Sequence, residues 1–318
     1  MNITVLLPVY NAGNPLKSSI ESILKQSHEE FEFLIIDDAS TDASQETIRR
    51  YAAMDSRIRP VFHVQNQGLA ATLNEGVQIS EGDWIARMDQ DDEALPDRLA
   101  IQSRFLSTRP RVAVAGSFVF YMGIDPGHDR LIQFPTSHEE ISRILPETNC
   151  LFHPTVMMRR EMILDMGGYR PEFKNAEDYD LWLRVSKQYE LANIPVALLR
   201  YRFSVSGMTL GRKWEQLYYV FLAQAAYKHP ELLFSDLETM AKERQASTDR
   251  VAFHYHVAEY TAEELFTLGN SNEAYQLLHQ FSKEIGKPAA AAIGWKLLRN
   301  RSAIRQDKHD EWRHILHA

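Results

Sequence analysis

The stretch Trp84-Ile-Ala-Arg-Met-Asp-Gln-Asp-Asp92 decides how this chain is read. Its opening, Trp84-Ile85-Ala86, is a short apolar run that predicts a strand over 84–88. Asp89 and Asp91 stand at the mouth of that strand, spaced Asp-x-Asp. Two carboxylates so placed cannot share a poorly hydrated site without a counter-charge. A hard divalent cation bound by oxygens is a natural one, and it commonly also holds a diphosphate. A metal-clamped diphosphate on a strand end suggests an enzyme with a nucleotide-activated donor. An EF-hand loop starting at Asp89 is excluded, because it needs Gly at its sixth position and Glu at its twelfth; Ala94 and Ala100 stand there. Taken alone, a solvated acidic loop explains these residues as well, so their neighbours decide.

Upstream, two periodicities alternate. Residues 3–7 and 31–36 are continuous apolar runs of the kind buried on both faces of a sheet. A third, shorter strand is predicted over 61–64. Between them, 15–25, 42–51 and 69–79 carry apolar residues at helical spacing. Pro15 suits a first helical turn, and Thr41 or Asp42 is placed to cap the second helix. Strands alternating with helices predict right-handed crossovers and a mostly parallel sheet. Ligands of such sheets sit beyond the carboxyl ends of the strands. Tyr10, Asp37, Asn66 and Asp89 all fall at such ends.

Further on, helices are predicted over 97–106, 137–145 and 176–187, and strands over 111–121, 156–158 and 197–203. From Trp214 the chain reads as almost wholly helical. The polar stretch 204–212, with Gly207 and Gly211, is the expected boundary. The division is therefore 1–212, an α/β domain, and 213–318, a helical C-terminal region.

Composition bounds the rest. The 318 residues are 44% hydrophobic and 25% charged, ordinary for a globular protein. The net charge of -8 argues against nucleic acid as a partner. A single cysteine, Cys150, forbids an internal disulfide and fits a reducing compartment. No leader-like segment opens the chain, and no run approaches the roughly 18 apolar residues of a membrane helix. A cytoplasmic protein is expected. From Lys283 on, however, eight cations face four anions. Trp295, Leu297, Leu298 and Ile304 lie among Lys296, Arg299, Arg301 and Arg305, a mixture suited to peripheral contact with an anionic membrane. A helical domain with solvated cations explains the same residues.

Each strand-end motif has a bland and a functional reading. Pro8-Val-Tyr-Asn11 is turn-forming, or a rigid rim whose backbone and Tyr10 flank a base. A Rossmann dinucleotide site would want Gly-x-Gly-x-x-Gly there, and only Gly13 is present. In Asp37-Asp38-Ala-Ser-Thr-Asp42, Asp42 reads as a helix cap, while Asp38 is the candidate acceptor for the imide N–H of uracil. Asn66-Gln-Gly68 is an ordinary loop or another wall of that pocket. Glu177-Asp178 opens a helix. Asn175 can cap it, with Asp178 a favourable first-turn acid; alternatively Asp178 is a general base aimed at an acceptor hydroxyl. Trp182 reads as core, or, if exposed, as a sugar-stacking surface. His153 reads as structural. Arg202 is expected to pair with an acidic loop or a diphosphate.

Taken in order, Pro-Val-Tyr-Asn, Asp-Asp-Ala-Ser-Thr-Asp, Asn-x-Gly, Ala-Arg-Met-Asp-x-Asp-Asp, His-Pro, Gly-Gly-Tyr-Arg and Glu-Asp-Tyr-Asp-Leu-Trp-Leu-Arg make residues 1–205 resemble an inverting glycosyltransferase of family two with a GT-A fold. The resemblance implies that Asp38 contacts the nucleobase and that Asp89 belongs to the ribose or metal shell. It implies that Asp91 binds Mn2+ or Mg2+ with the donor diphosphate, and that Asp178 is the catalytic base. It favours uracil over guanine. It also implies a nucleotide-sugar donor and a glycan or lipid-linked acceptor at the inner face of a membrane. Relatives often carry His two residues after an Arg like Arg202; here Ser204 stands in that place. A non-catalytic sugar-nucleotide-binding or scaffold subunit is the alternative. A sugar-1-phosphate nucleotidyltransferase would want a Gly-rich basic loop after the first strand, which is absent.

Overall fold

The computed structural model describes residues 1–123, 129–203 and 210–299. Ser204 and the cations beyond residue 299, Arg301 and Arg305 among them, lie outside the described residues. Two compact units emerge. One comprises Met1–Phe120, Leu131–Arg202 and Ala226–Pro230; the other comprises Tyr121–Arg130, Phe203–Ala225 and the chain from Glu231 onward.

The first unit is built on one mixed sheet. Its strands in chain order are β1 (Ile3–Val9), β2 (Glu32–Asp37), β3 (Ile58–Phe62), β4 (Trp84–Arg87), β5 (Glu93–Ala94), β6 (Val112–Tyr121), β7 (Arg130–Ile132), β8 (Met157–Arg159) and β9 (Glu190–Tyr201). Their spatial order is β3-β2-β1-β4-β8-β6-β9-β5, with β7 on β6. The four strands β3-β2-β1-β4 are parallel. Beyond them β4 with β8, β8 with β6, and β5 with β9 pair antiparallel. Helices α1 (Pro15–Leu24), α2 (Ser44–Met54) and α3 (Leu69–Ile79) are the crossovers of the parallel half. They are followed by α4 (Arg98–Ser107), α5 (His138–Ile144), α6 (Arg160–Asp165) and α7 (Glu177–Val185). The apolar runs of β1 and β2 fill the core: Val5, Leu6, Leu7, Leu34, Ile35 and Ile36 are all buried.

Three of the expected strands differ in extent from the sequence reading for physical reasons, and β5, β7 and α6 were not expected. β1 runs to Val9, so Pro8 is a buried strand residue and not part of a turn. By the alternation of a strand, Pro8 faces the same side as Leu6, whose partner Arg87 is the last paired residue of β4. Its missing N–H falls where the pairing of β1 with β4 ends. β3 starts earlier than expected and includes Pro60, which an edge strand tolerates; Val64 lies beyond it, fully exposed. β9 likewise begins at Glu190 and runs through Pro195, where the strand is exposed.

The second unit is helical: α8 (Leu210–Lys228), whose last turn belongs to the first unit, then α9 (Phe234–Ser247), α10 (Arg250–Thr267), α11 (Ser271–Ile285) and α12 (Lys287–Arg299). Asp249 caps α10 by accepting from Val251 and Ala252 N–H, and Asn270 caps α11 by accepting from Glu273 N–H. Ala258, Ala262, Leu265 and Phe266 of α10 pack with Leu277, Leu278 and Phe281 of α11 and Ile293 of α12. That spacing, three and four apart, is the apolar stripe of a helix hairpin. Lys296, one of the C-terminal cations, is paired with Glu259 and Glu263 at 2.8 and 2.9 Å. Among the described residues no helix is long and apolar enough to cross a membrane.

Candidate active site

The loops leaving β1, β2, β3 and β4 are knitted together by side chains. Gln90 holds the backbone of Tyr10 at both polar atoms: Tyr10 N–H donates to Oε1 at 2.7 Å, and Nε2 donates to Tyr10 O at 3.2 Å. The next three amides are each accepted by a side chain of the β2 loop. Asn11 N–H donates to Ser40 Oγ at 2.9 Å, Ala12 N–H to Ser44 Oγ at 3.1 Å, and Gly13 N–H to Asp42 Oδ2 at 2.9 Å. Asp42 is therefore not the cap residue of α2, whose N-cap position is Ala43. It makes a short turn with Ser44 and ties the β1 loop to it.

Asp38 is buried, 4% exposed, at the centre of this lattice. Its Oδ1 faces His63 Nδ1 at 2.7 Å and accepts from Gln67 N–H at 2.8 Å, while its Oδ2 accepts from Gly68 N–H at 2.8 Å. Asn66 donates to Asp38 O at 3.1 Å. The other ring nitrogen of His63 faces Glu75 at 2.9 Å. Burial alone would raise the Asp38 carboxyl, but the His63 bond and the two backbone N–H groups outweigh it and hold it below its usual value. The Asn66-Gln-Gly68 loop is thus pinned to the end of β2. Tyr10, by contrast, is 48% exposed.

Among the described residues, the non-glycine positions at positive φ are Asn11 (50°), Ala39 (62°) and Asn175 (59°). Each directly follows Tyr10 or Asp38, or lies just ahead of Glu177-Asp178. Left-handed backbone is costly for a residue with a Cβ, and such residues cluster where a site over-determines the chain. Ala39→Gly is expected to raise the unfolding free energy by about 0.5 kcal/mol, since removal of the Cβ conflict slightly exceeds the added freedom of the unfolded chain. Urea denaturation measures it; a loss of stability would contradict the backbone assignment.

The acidic loop after β4 rests on two arginines. Arg87, 3% exposed, is ion-paired with Asp89. Arg98, fully buried, donates to Arg87 O at 2.6 Å, to Gln102 at 3.1 Å and to Met88 Sδ at 3.3 Å. Burial and then the charge of Arg87 lower its pKa to about 9. Arg202 secures the far side, as the sequence reading expected. Its N–H donates to Asp92 Oδ1 at 2.9 Å, its Nε donates to Asp91 O at 3.0 Å, and its guanidinium lies 3.6 Å from Glu93. Asp92 is wholly buried and raised well above the usual range, by burial first and by Asp89 second. Asp91 is half-buried, and among the described residues no cation pairs with its carboxylate. Burial and the charge of Asp89 push it up.

Asp178 opens α7. Asn175, the expected cap, sits one residue too early; the N-cap position is Ala176. The carboxylate of Asp178 is half-buried and held at both oxygens: Oδ1 accepts from Tyr179 N–H at 2.7 Å and Oδ2 from Asn149 Nδ2 at 3.1 Å. Burial raises it above an ordinary aspartate, against the pull of Tyr179 N–H, Arg87 and Asn149. Glu177 is only 7% exposed and is pushed up to about 7 by burial and by Asp178. Asp180 is structural, bonded to Arg170 and Arg184. His153, in a 3-10 turn over His153–Thr155, bonds Tyr169 at 2.9 Å and packs edge-on against Trp182. Burial and Arg87 hold His153 well below its usual value, so it is neutral. Trp182 is completely buried, which removes sugar stacking as its role.

Arg87 joins the two halves. Its charge acts on Asp91 and Asp92 as well as Asp89. The same charge acts on Glu177, Asp178 and His153. The acids of the β4 loop and the acid of α7 therefore lie within reach of one buried charge, with Asp89 in direct contact with it. Asp38 is not in that group; it belongs to the β2–β3 side of the lattice. Residue spacing alone did not reveal Asn149, His63, Gln90 or Arg87. Arg87 stood within the deciding stretch, but nothing in the sequence marked it as buried.

Residues 4–167 match the family described as Glycosyl transferase family 2. The chain belongs to glycosyltransferase family 2. It is 32% identical over 206 residues to the O-antigen biosynthesis glycosyltransferase WbnJ of Escherichia coli, covering 63% of this chain and 79% of that one. Among solved structures it resembles residues 1–349 of TarS of S. aureus in complex with UDP, at a TM-score of 0.58 and 17% identity over 100% of this chain and 90% of that one. It also resembles the mannosyltransferase PcManGT of Pyrobaculum calidifontis in complex with GDP-Man and Mn2+, at a TM-score of 0.57 and 16% identity over 99% and 84% of the two chains. At these identities the two structures establish the α/β sheet fold with its C-terminal helical region.

Proposed function

We propose that this family-2 glycosyltransferase is an inverting enzyme of the GT-A type. It transfers a sugar from a nucleoside-diphosphate donor, UDP in preference, to a hydroxyl of a glycan or lipid-linked acceptor in polysaccharide assembly. One observation carries this reading: Asp91, whose carboxylate makes no ion pair among the described residues, and Asp178, half-open and fixed at both oxygens, both feel the charge of buried Arg87. A carboxylate that makes no ion pair and lies next to a second acid is suited to a cation, and a fixed, accessible carboxylate is suited to a proton.

The donor set fits Mn2+ or Mg2+. Such ions commonly take one or two carboxylates and complete their shell with substrate phosphate and water. Among the described residues no group of three acids, histidines or cysteines forms a ready-made metal cage. Asp91 would hold the ion, with Asp89 beside it, its Oδ2 engaged by Arg87. When bound, the ion would stabilise the charge of the departing diphosphate. The protein's own steps are these. Tyr10 and the pinned Asn66-Gln-Gly68 loop flank the base, and Asp38 can reach its imide only through the remaining lone pair of Oδ2. Asp178 accepts the acceptor hydroxyl proton as that oxygen bonds to the anomeric carbon. The bond from that carbon to the diphosphate breaks on the opposite face, so configuration inverts.

The scaffold reading is disfavoured because a binding subunit has no need of an accessible, oriented Asp178. The test is incubation of the protein and Mn2+ with labelled nucleotide sugars and glycan or polyprenyl-phosphate-linked acceptors, with product configuration read by NMR. Inverted product supports the proposal. Donor binding with no transfer to any acceptor would favour the scaffold, and retained configuration would refute the role given to Asp178.

A further inference from the structure

The loop between α5 and the 3-10 turn brings one exposed amide against the carboxylate of Asp178. Asn149 donates from Nδ2 to Asp178 Oδ2 at 3.1 Å, and its own Oδ1 accepts from Leu151 N–H at 3.2 Å. These two partners fix which way the amide faces. A backbone N–H needs the oxygen and a carboxylate needs the nitrogen. The loop beneath is rigidly seated. Buried Asn193 on β9 donates to both Pro135 O at 2.8 Å and Cys150 O at 2.9 Å, and Leu151 is buried. Asn149 is thus an exposed side chain on an anchored turn, pointed at one atom.

We propose that Asn149 is a positioning residue for the proposed transfer: it holds Asp178 Oδ2 so that its remaining lone pair meets the acceptor hydroxyl. The inference rests on the assignment of Asp178 as the base. With Tyr179 N–H on Oδ1, the amide leaves the carboxylate no free rotation. The same bond stabilises the charged form of Asp178 and supports the Arg87 charge from β4. It opposes burial, which raises Asp178; Glu177 beside it on α7 is itself raised by burial and by Asp178. Tyr169 also faces this pair and is raised by burial and by both acids.

Two variants separate positioning from loop structure. Asn149→Ala loses both bonds. Asn149→Asp keeps an oxygen for Leu151 N–H but replaces the donor with a second negative charge. Asn149→Ala is expected to lower kcat about tenfold, on the scale of one bond to a charged group, with donor KM within about twofold of the parent. Its acid limb in the kcat–pH profile moves up, because a donor to the carboxylate is gone. Asn149→Asp is expected to lower kcat at least as far and to move the limb further up, with an unchanged melting temperature. Wild-type kcat and acid limb in Asn149→Asp would overturn the proposal. Asp178→Asn is assayed alongside. If it keeps wild-type turnover, the base assignment falls and this inference with it. If it is inactive while Asn149→Asp is normal, only the role of Asn149 falls.

Discussion

Asp178→Asn is expected to retain donor binding and to cut the transfer rate by about 10²- to 10⁴-fold, the usual contribution of a positioned general base. The substitution preserves shape and the bond from Tyr179 N–H, so a helix-cap role for Asp178 would survive it. A base role would not, since an amide cannot take the proton. The pH profile adds a second reading. Burial raises Asp178 above an ordinary aspartate. Only the ionised form is active, so kcat should fall as pH drops through that raised value. The acid limb therefore lies above the range of a solvated aspartate. Glu177→Gln is the control: Glu177 is buried against the helix start, and its replacement should leave the limb in place with a far smaller loss of rate. Wild-type transfer by Asp178→Asn would return Asp178 to a purely structural role.

Asp91→Ala is expected to abolish the Mn2+ dependence of donor binding and to weaken donor affinity in Mn2+ by at least about 10²-fold, the upper range seen when even a ligand's supporting partner is removed. The loop itself should persist. It is held by Arg202 through Asp92 and the backbone of Asp91, and by Arg98 and Gln90, none of which needs the Asp91 carboxylate. Loss of affinity can then be assigned to the cation and not to unfolding. Removing Asp91 also removes a like charge from buried Asp92, so the variant should melt no lower than the parent. Isothermal titration with UDP, with and without Mn2+, measures the effect. Equal affinities for the two proteins in Mn2+ would eliminate Asp91 as the ion's ligand.

The parallel half of the fold was legible because its signals are local. Continuous apolar runs gave β1 and β2, helical spacing gave α1 to α3, and their alternation gave the crossovers. The antiparallel half was less so. β9 begins seven residues before the expected start, across Asn193 and Pro195, residues that ordinarily argue against a strand. Asn193 is accommodated because its amide satisfies two carbonyls of another segment. Pro195 is accommodated because the strand is exposed there. At the site, acids announced themselves, but their partners did not. Asn149 lies 29 residues from Asp178 and looks like any loop asparagine. Gln90 occupies the variable place of Asp-x-Asp, yet it ties two loops together. Asp38 stood out as an acceptor, but its burial and the loop it holds depend on tertiary contacts with His63, Gln67 and Gly68. Residue type identified the chemistry; packing alone could identify which groups support it.

The most direct test of the account is the anomalous difference map of a crystal grown with UDP and Mn2+. A manganese peak is expected at Asp91, with the diphosphate on it, the uracil between Tyr10 and the 66–68 loop, and the terminal phosphate pointing toward Asp178. Manganese and diphosphate bound on another face, with Asp91 and Asp178 facing only solvent, would contradict it.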